Sequence, residues 1–429
     1  MRQAEMHDDI ATRCFDCILP TDYSVIRPLG QAKPMANQDY SVRQLLELEA
    51  CTNCRYCAEV CPAVNAAQEG KLSALYRMKG LKDILKGRTG LFRKLLGSKE
   101  PSEEQWRAYS QTVYRCTLCG NCQEVCPVGI HLKDLWLSLR QDLFHSGHHA
   151  DKVEKIRDNL RESHNVFAED NEERADWVED VRDAPDHGFL KEKAEVVYFT
   201  GCVAAYFPLA QKIPVALAEI LEASGVDFTL LGEEEWCCGF PLLGAGLKDF
   251  LEPFVKHNLE AVRRKGAKKA IFACPSCFQM WKEHYPREVE IVHASEFLMS
   301  LVQDGRVPFK PLDLTVTYHD PCDLGRGARV FDAPREVIRS IPGVRLVELP
   351  RNRENCQCCG GGGNLEMMDP KLSSEIAKRK IDEALGTGAA VIVTSCQQCV
   401  RTMTTYAKRN KAPIEVMDIT QLVRKALKK

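Results

Sequence analysis

Several features missing from this 429-residue sequence narrow its reading early. No run of about 18 apolar residues exists, so nothing in it reads as a bilayer-spanning helix. Its opening, MRQAEMHDDI, has no apolar stretch of the kind a secretory signal needs, so a reducing cytoplasmic setting is expected. Neither sign of charge dominates. The 58 Lys and Arg stand against 60 Asp and Glu, a net charge of −2, so no nucleic-acid partner is indicated. No GxGxxG follows a strand-like run and no GK[ST] follows the glycine-rich stretch, which argues against nicotinamide, flavin and phosphate-loop sites.

Cysteine, by contrast, is abundant: there are 21. A secreted disulfide scaffold is small and carries a leader, and neither feature fits here. The spacings are those of metal thiolates. Cys51-Thr-Asn-Cys54-Arg-Tyr-Cys57-Ala-Glu-Val-Cys61-Pro62 returns as Cys116-Thr-Leu-Cys119-Gly-Asn-Cys122-Gln-Glu-Val-Cys126-Pro127. This doubled CxxCxxCxxxCP run is the two-cluster ferredoxin signature. Three closely spaced thiolates suit one face of an iron–sulfur cube, and the proline turns the chain so that the fourth serves the other cube. One cubane [4Fe-4S] cluster is therefore expected on Cys51, Cys54, Cys57 and Cys126, and a second on Cys116, Cys119, Cys122 and Cys61. Zinc, which takes four ligands in pairs, fits an interleaved eight poorly.

A second pattern is an internal duplication. Cys202, Cys237-Cys238-Gly239 and Cys274-Pro-Ser-Cys277 correspond to Cys322, Cys358-Cys359-Gly360 and Cys396-Gln-Gln-Cys399, at offsets of 120, 121 and 122. Short β-branched runs precede the cysteines: Ala194–Thr200, Lys269–Ala273, Leu314–Tyr318 and Ala390–Ser395. Such runs read as buried parallel strands. Further strands are expected at Phe228–Leu231, Leu346–Leu349 and Ile414–Met417, with helices at Phe297–Val302 and Arg335–Ile341. The cysteines then fall just past strand ends, where open α/β sheets bind ligands.

This repeated Cx(n)CCGx(n)CxxC pattern resembles the cysteine-rich CCG domain pair of heterodisulfide reductase catalytic subunits. The stretches GCVAAYF, EWCCGFP, HDPCDLGR, DAPREVIRSIPG and CCGGGGN are similar to the D-type catalytic chain and its relatives in membrane-bound respiratory complexes, over roughly residues 195–425. The resemblance implies a non-cubane [4Fe-4S] cluster on five cysteines per complete motif. The catalytic sets would be Cys202, Cys237, Cys238, Cys274 and Cys277, and Cys322, Cys358, Cys359, Cys396 and Cys399. One or two such clusters are implied, and two are favoured because both motifs are complete. It further implies an open cluster whose iron can take a substrate sulfur, so that a disulfide is cleaved or formed in one-electron steps fed by the cubanes. Helical periodicity flanks the ferredoxin runs, at Val42, Leu45, Leu46 and Leu48 and at Leu132, Leu135, Trp136 and Leu139. With the long spacer 62–115, this resembles the α-helical ferredoxin domain of the reductase's C-type chain, fused ahead of the CCG pair.

The expected fold is α+β multidomain: an N-terminal extension (1–40), an α-helical ferredoxin domain with a basic insertion (41–145), a charged helix and linker (146–193), and two duplicated α/β CCG domains with parallel sheets (194–306 and 313–429). The basic insertion, Lys71–Lys99, reads either as a solvated helix covering the ferredoxin domain or as a dock for an acidic partner or anionic lipid. Cys14, Cys17 and Cys356 lie outside both patterns. Cys14-Phe-Asp-Cys17 reads as ordinary thiols, half a metal site or a redox pair. Cys356 reads as a spare thiol, an alternative ligand or a thiol beside the cluster, and His319 as a loop or supporting histidine in preference to a proton donor.

Three functions remain. The first is a subunit of a membrane-associated respiratory complex, peripheral on the inner face of the cell membrane. It would exchange electrons with a cytochrome b or quinone-interacting subunit and act on a disulfide or thiol substrate. The second is a soluble electron-bifurcating module of the heterodisulfide reductase B and C type, paired with a flavin subunit. The third is a pure electron-transfer subunit serving a flavin-dependent glycerol-3-phosphate, glycolate or lactate dehydrogenase.

Overall fold

The computed structural model describes residues 39–89 and 101–428. Cys14, Cys17 and the end of the basic insertion lie outside the described residues.

The first part is helical. Ser41 caps the helix Val42–Glu49: its hydroxyl accepts the Gln44 N–H, and the Gln44 side chain accepts the Ser41 N–H in return. That helix delivers the chain to Cys51. Pro62 opens the helix Pro62–Ala67, at a position where its missing N–H costs nothing, and so ends the first cysteine run. The helices Ala74–Thr89, Glu103–Tyr114 and Leu132–His145 pack around Leu81, Trp106, Val113, Trp136 and Leu139. In the basic insertion Leu72, Leu81 and Leu85 are buried, while Lys71, Lys79 and Lys86 are exposed. Up to Thr89, the insertion covers the ferredoxin cysteines. Arg77 departs from this pattern, being 1% exposed and turned inward.

The rest contains two four-stranded parallel sheets of identical topology. The first comprises β1 (Val196–Phe199), β2 (Phe228–Thr229), β3 (Lys269–Phe272) and β4 (Glu290–His293), in the order β2-β1-β3-β4. The second comprises β5 (Leu314–His319), β6 (Val344–Glu348), β7 (Val391–Thr394) and β8 (Glu415–Asp418), in the order β6-β5-β7-β8. All four residues of β1 and of β7 are buried, as strands covered on both faces must be. From β1 the chain runs to one side for β2 and back across for β3, so the loops after β1 and β3 diverge and leave a crevice. Cys202 follows β1 and Cys274 follows β3; Cys322 follows β5 and Cys396 follows β7.

Several elements differ from the expected bounds, among them Val344–Glu348, Glu415–Asp418 and Ala294–Gln303, and for two more the reason is evident. β2 stops at Thr229 because the Leu230 N–H donates to Phe189 O (3.0 Å) instead of to the sheet. The helix expected at Arg335–Ile341 runs from Asp332 to Ser340, because Pro334 is tolerated in a first turn.

The copies meet through two reciprocal helix pairs, each joining a helix after one copy's first strand to the helix after the other copy's last strand. Lys212–Ala223 packs on Ile419–Ala426, and Ala294–Gln303 packs on Asp332–Ser340. Ile213, Leu217, Leu301, Ile338 and Leu422 share one core across this seam. The ferredoxin module is sewn on by Arg140. Buried, it donates from Nη1 to Gly363 O (2.9 Å) and Gly244 O, and from Nη2 to Cys116 O (2.8 Å) and Val113 O (3.0 Å).

Candidate iron–sulfur centres

The structure gathers the first expected quartet around one small cavity, lined by Cys51, Cys54, Cys57 and Cys126 with Leu75 and Met78 of the insertion as its roof. Cys54 is exposed and places this site at the surface. Burial, and then the neighbouring thiols, push the Cys57 thiol up.

The second quartet is deeper. Cys61 faces Cys116 and Cys119, and Cys122 faces all three. Burial pushes the Cys61 thiol up to about 11 and the Cys122 thiol well above its usual range. Arg77 lies against Cys61, Cys116 and Cys122. Its Nε donates to Thr112 O (3.0 Å), and its Nη2 has no partner among the described residues. Trp136 Nε1 points toward Cys122 and is likewise unpartnered.

All five cysteines of the first copy line one pocket of about 450 Å³. Their thiols form a chain of contacts: Cys202 with Cys237, Cys237 with Cys238, Cys238 with Cys277 and Cys277 with Cys274. Arg174 reaches Cys202 Sγ at 3.5 Å from the stretch expected to be a charged linker. Its charge is met by Glu235 at 2.8 Å, and both side chains are 1% exposed. Glu235 also accepts the Thr200 and Gly201 N–H groups, at 2.7 and 2.8 Å, and so fixes the loop that carries Cys202. Gln397 of the second copy crosses over, donating to Thr200 O (2.7 Å) and accepting from the Ala204 N–H (3.3 Å).

In the second quintet four cysteines are buried and Cys322 is half-buried. Cys358 touches Cys322 and Cys359, Cys359 Sγ is 3.3 Å from Cys399 Sγ, and the Cys399 N–H donates to Cys396 Sγ (3.4 Å). Gly360 has φ +96°. That left-handed turn lets the Gly360 N–H donate to Cys358 Sγ (3.3 Å) and the Gly361 N–H to Cys359 Sγ (3.5 Å). His319 ends β5 with a ring nitrogen within 4.8 Å of the Cys359 and Cys399 sulfurs. Its Nδ1 is 3.5 Å from Cys356 Sγ, and its Nε2 is unpartnered among the described residues. Burial would lower the His319 pKa, but the Cys356 thiol outweighs it and holds His319 up at about 9. Cys356 is therefore no idle thiol: fully buried, it lies between His319 and Lys380 Nζ (3.7 Å). Those two cations hold its pKa down against burial.

The two modules join at sulfur. The Cys358 thiol lies against Cys119 of the second quartet, and that contact, with Arg326 beside it, pulls Cys119 down while Cys358 is pushed up. Cys274 and Cys396 also face each other closely enough to interact.

Buried donors without partners are costly. Here Arg77 Nη2, Trp136 Nε1, Arg326 Nη2 and His319 Nε2 all lie at cysteine clusters and lack acceptors among the described residues. Anionic sulfur would satisfy them, so the residues present fit iron–sulfur clusters. Sequence reasoning missed the arginines Arg77, Arg174 and Arg326. Their neighbours along the chain carry no signal of it: Arg77 sits among lysines, Arg174 among acidic residues, and Arg326 between Asp323 and Arg329.

Thiols held this way define an iron–sulfur oxidoreductase that joins a ferredoxin module to a duplicated cysteine-rich module. The 4Fe-4S dicluster domain matches residues 47–130, and the cysteine-rich CCG domain matches 196–282 and 316–404. The chain is 37% identical over 397 residues to the D subunit of dihydromethanophenazine:CoB–CoM heterodisulfide reductase from Methanosarcina barkeri, covering 90% of this chain and 95% of that one. The corresponding subunit of Methanosarcina mazei is 36% identical, with the same coverage. An EtfAB:quinone oxidoreductase of Syntrophomonas wolfei is 28% identical over 91% of this chain and 60% of its own length. The chain belongs to the family of heterodisulfide reductase D subunits.

Proposed function

We propose that this chain is the sulfur-reactive subunit of a membrane-associated respiratory complex, which cleaves or forms a disulfide. The observation that carries the reading is the pocket. Five cysteines of one copy line its floor, and Gly361, Gly362, Gln397 and Gln398 of the other copy line its wall. The proposed division of labour follows the expected segments: 1–40, 41–145, 146–193, 194–306 and 313–429.

In this reading Cys51, Cys54, Cys57 and Cys126 hold one cubane cluster, and Cys116, Cys119, Cys122 and Cys61 hold another. Cys202, Cys237, Cys238, Cys274 and Cys277 hold a non-cubane cluster, as do Cys322, Cys358, Cys359, Cys396 and Cys399. When bound, such clusters supply single-electron transfer and, at the quintets, iron able to accept a substrate sulfur. The protein's own part is placement. Arg174 and Glu235 fix Cys202, Gln397 ties the two copies at the pocket wall, and Arg401 stands at its edge. Glu366 (3.2 Å) and the Phe207 ring (4.6 Å to its centroid) pin Arg401 there.

The names of the Methanosarcina relatives support a disulfide substrate. Among the described residues no helix is long and apolar enough to cross a membrane. A place at the inner face of the membrane would then come through a cytochrome b or quinone-interacting subunit. The EtfAB:quinone oxidoreductase relative favours a second reading, in which the chain passes electrons between a flavoprotein and a quinone without sulfur chemistry.

The test is EPR of the anaerobically purified, oxidised chain titrated with small thiols, with iron counted on the same sample. About sixteen irons per chain, four for each of four clusters, and a thiol-dependent paramagnetic signal are the expected results. No such signal with any thiol, together with a co-purifying flavoprotein, would replace the first reading with the second.

A further inference from the structure

Arg326 sits where the ferredoxin module meets the second CCG domain. It belongs to the π-helical turn Asp323–Gly327 that follows Cys322, and it is 9% exposed. Nε donates to Cys119 O at 2.8 Å. Nη1 donates to Cys356 O at 2.7 Å and to Glu354 O at 2.9 Å. One side chain thus ties the second ferredoxin run to the loop that leads into Cys358. Its remaining nitrogen, Nη2, is buried and has no partner among the described residues.

A buried guanidinium is normally met by a carboxylate. Arg174 has Glu235, and Arg335 has Asp320 and Glu348. Among the described residues no carboxylate pairs with Arg326. Its charge interacts instead with the thiols of Cys119, Cys322, Cys356 and Cys358. A fixed cation with a spare N–H, set between two groups of sulfur ligands, favours whatever adds negative charge there. Reduction of a cluster does so, and charge and hydrogen bonds to sulfur are what set cluster potentials.

We infer that Arg326 is a positioning residue that also acts electrostatically. It clamps the second ferredoxin quartet to the second quintet and raises the reduction potential of the group bound at each. This rests on the reading that both sets of cysteines hold clusters. Arg77 provides an internal comparison, because the thiols nearest its charge, Cys61, Cys116 and Cys122, all belong to the quartet.

The experiment is an EPR-monitored redox titration of the full chain, purified anaerobically with iron counted, as wild type, Arg326→Met, Arg326→Lys and Arg77→Met. In Arg326→Met the midpoints of both centres fall, each by at least tenfold in the reduction equilibrium, about 59 mV for a one-electron couple. Arg326→Lys, which keeps the charge, restores them. Arg77→Met moves the ferredoxin centre alone. Midpoints that stay in place in a fully loaded Arg326→Met, or a shift at one centre only, overturn the inference. Should Arg326→Met fail to hold iron, Arg326→Gln, which keeps a carbonyl bond without the charge, is titrated with the same two outcomes. A wild-type chain that binds no iron at these sites overturns the cluster assignment and the inference together; variants that match a loaded wild type overturn the inference alone.

Discussion

Arg174 and Glu235 show what one buried pair carries. The guanidinium touches a pocket cysteine, and the carboxylate holds two backbone N–H groups of the same loop. Truncating Arg174 to Met leaves Glu235 buried with its charge unmet. We expect a loss of about 3 kcal/mol, the lower end for a broken buried pair, because Thr200 and Gly201 still donate. Denaturant unfolding of the iron-loaded chain measures it. A second residue makes a pH-dependent link. His145 Nδ1 meets Asp39 and Nε2 meets Asp249, each at 2.9 Å, so the histidine joins the ferredoxin module to the first CCG domain. Those bonds, to Asp249 first and then Asp39, raise its pKa to about 10 from an ordinary 6.5. Since the folded value lies above the unfolded one, the stabilisation is complete below about pH 6.5 and gone above about pH 10. With a side chain 35% exposed, solvent screens the pair, and the effect should stay under about 1 kcal/mol. Comparing His145→Gln with wild type in urea at pH 6 and pH 10.5 should show a difference only at the lower pH.

At the scale of elements, the run Gly360–Gly363 serves as a seat for the ferredoxin module. A Cβ on Gly363 would stand 2.4 Å from Cys116 O, and one on Gly362 would stand 2.6 Å from Thr117 O. Gly363 also has φ +61°. Gly363→Ala should cost at least about 1–2 kcal/mol for the left-handed backbone alone, and it should speed hydrogen exchange at the Cys116–Leu118 amides. Unchanged exchange there would mean that the loop does not press on the ferredoxin run. Much of this layer was legible from sequence. The runs before Cys202, Cys274, Cys322 and Cys396 are strands, as their shortness and their β-branched and aromatic residues indicate. Cysteine spacing fixes separations within each CxxC and CC pair, but the approach of Cys61 to Cys116 or of Cys202 to Cys237 depends on long-range packing. The buried arginines could not be foreseen. Arg77 lies in a stretch with many exposed lysines, and Arg174 in one dense with acids, and only long-range packing turns each of them inward. His319 was placed near the cluster, but its partnership with Cys356 and Lys380 depends on residues that lie well apart in the chain.

At the scale of the whole molecule, three modules unfold together only if something joins them. Arg140 donates to carbonyls from the ferredoxin helix and cysteine run, from the first copy and from the second. Replacing it by Met strands four carbonyls in the interior, each worth about 1 kcal/mol or more. We expect Arg140→Met to split a single calorimetric transition into two, the ferredoxin module melting first. A single sharp transition at a lower temperature would place the coupling elsewhere, in the apolar seam around Trp136 and Leu247.

The two duplicated domains share a topology but have different neighbours. The later copy sets Cys358 against Cys119, whereas the earlier copy lays all five of its cysteines along the open cavity. Reversing their order in an engineered gene would set a different pair of adjacent cysteines beside the ferredoxin run and carry the open cavity to the other side of the shared core. Alike in topology, the halves are not interchangeable in place, and their succession along the chain decides which sulfurs become neighbours.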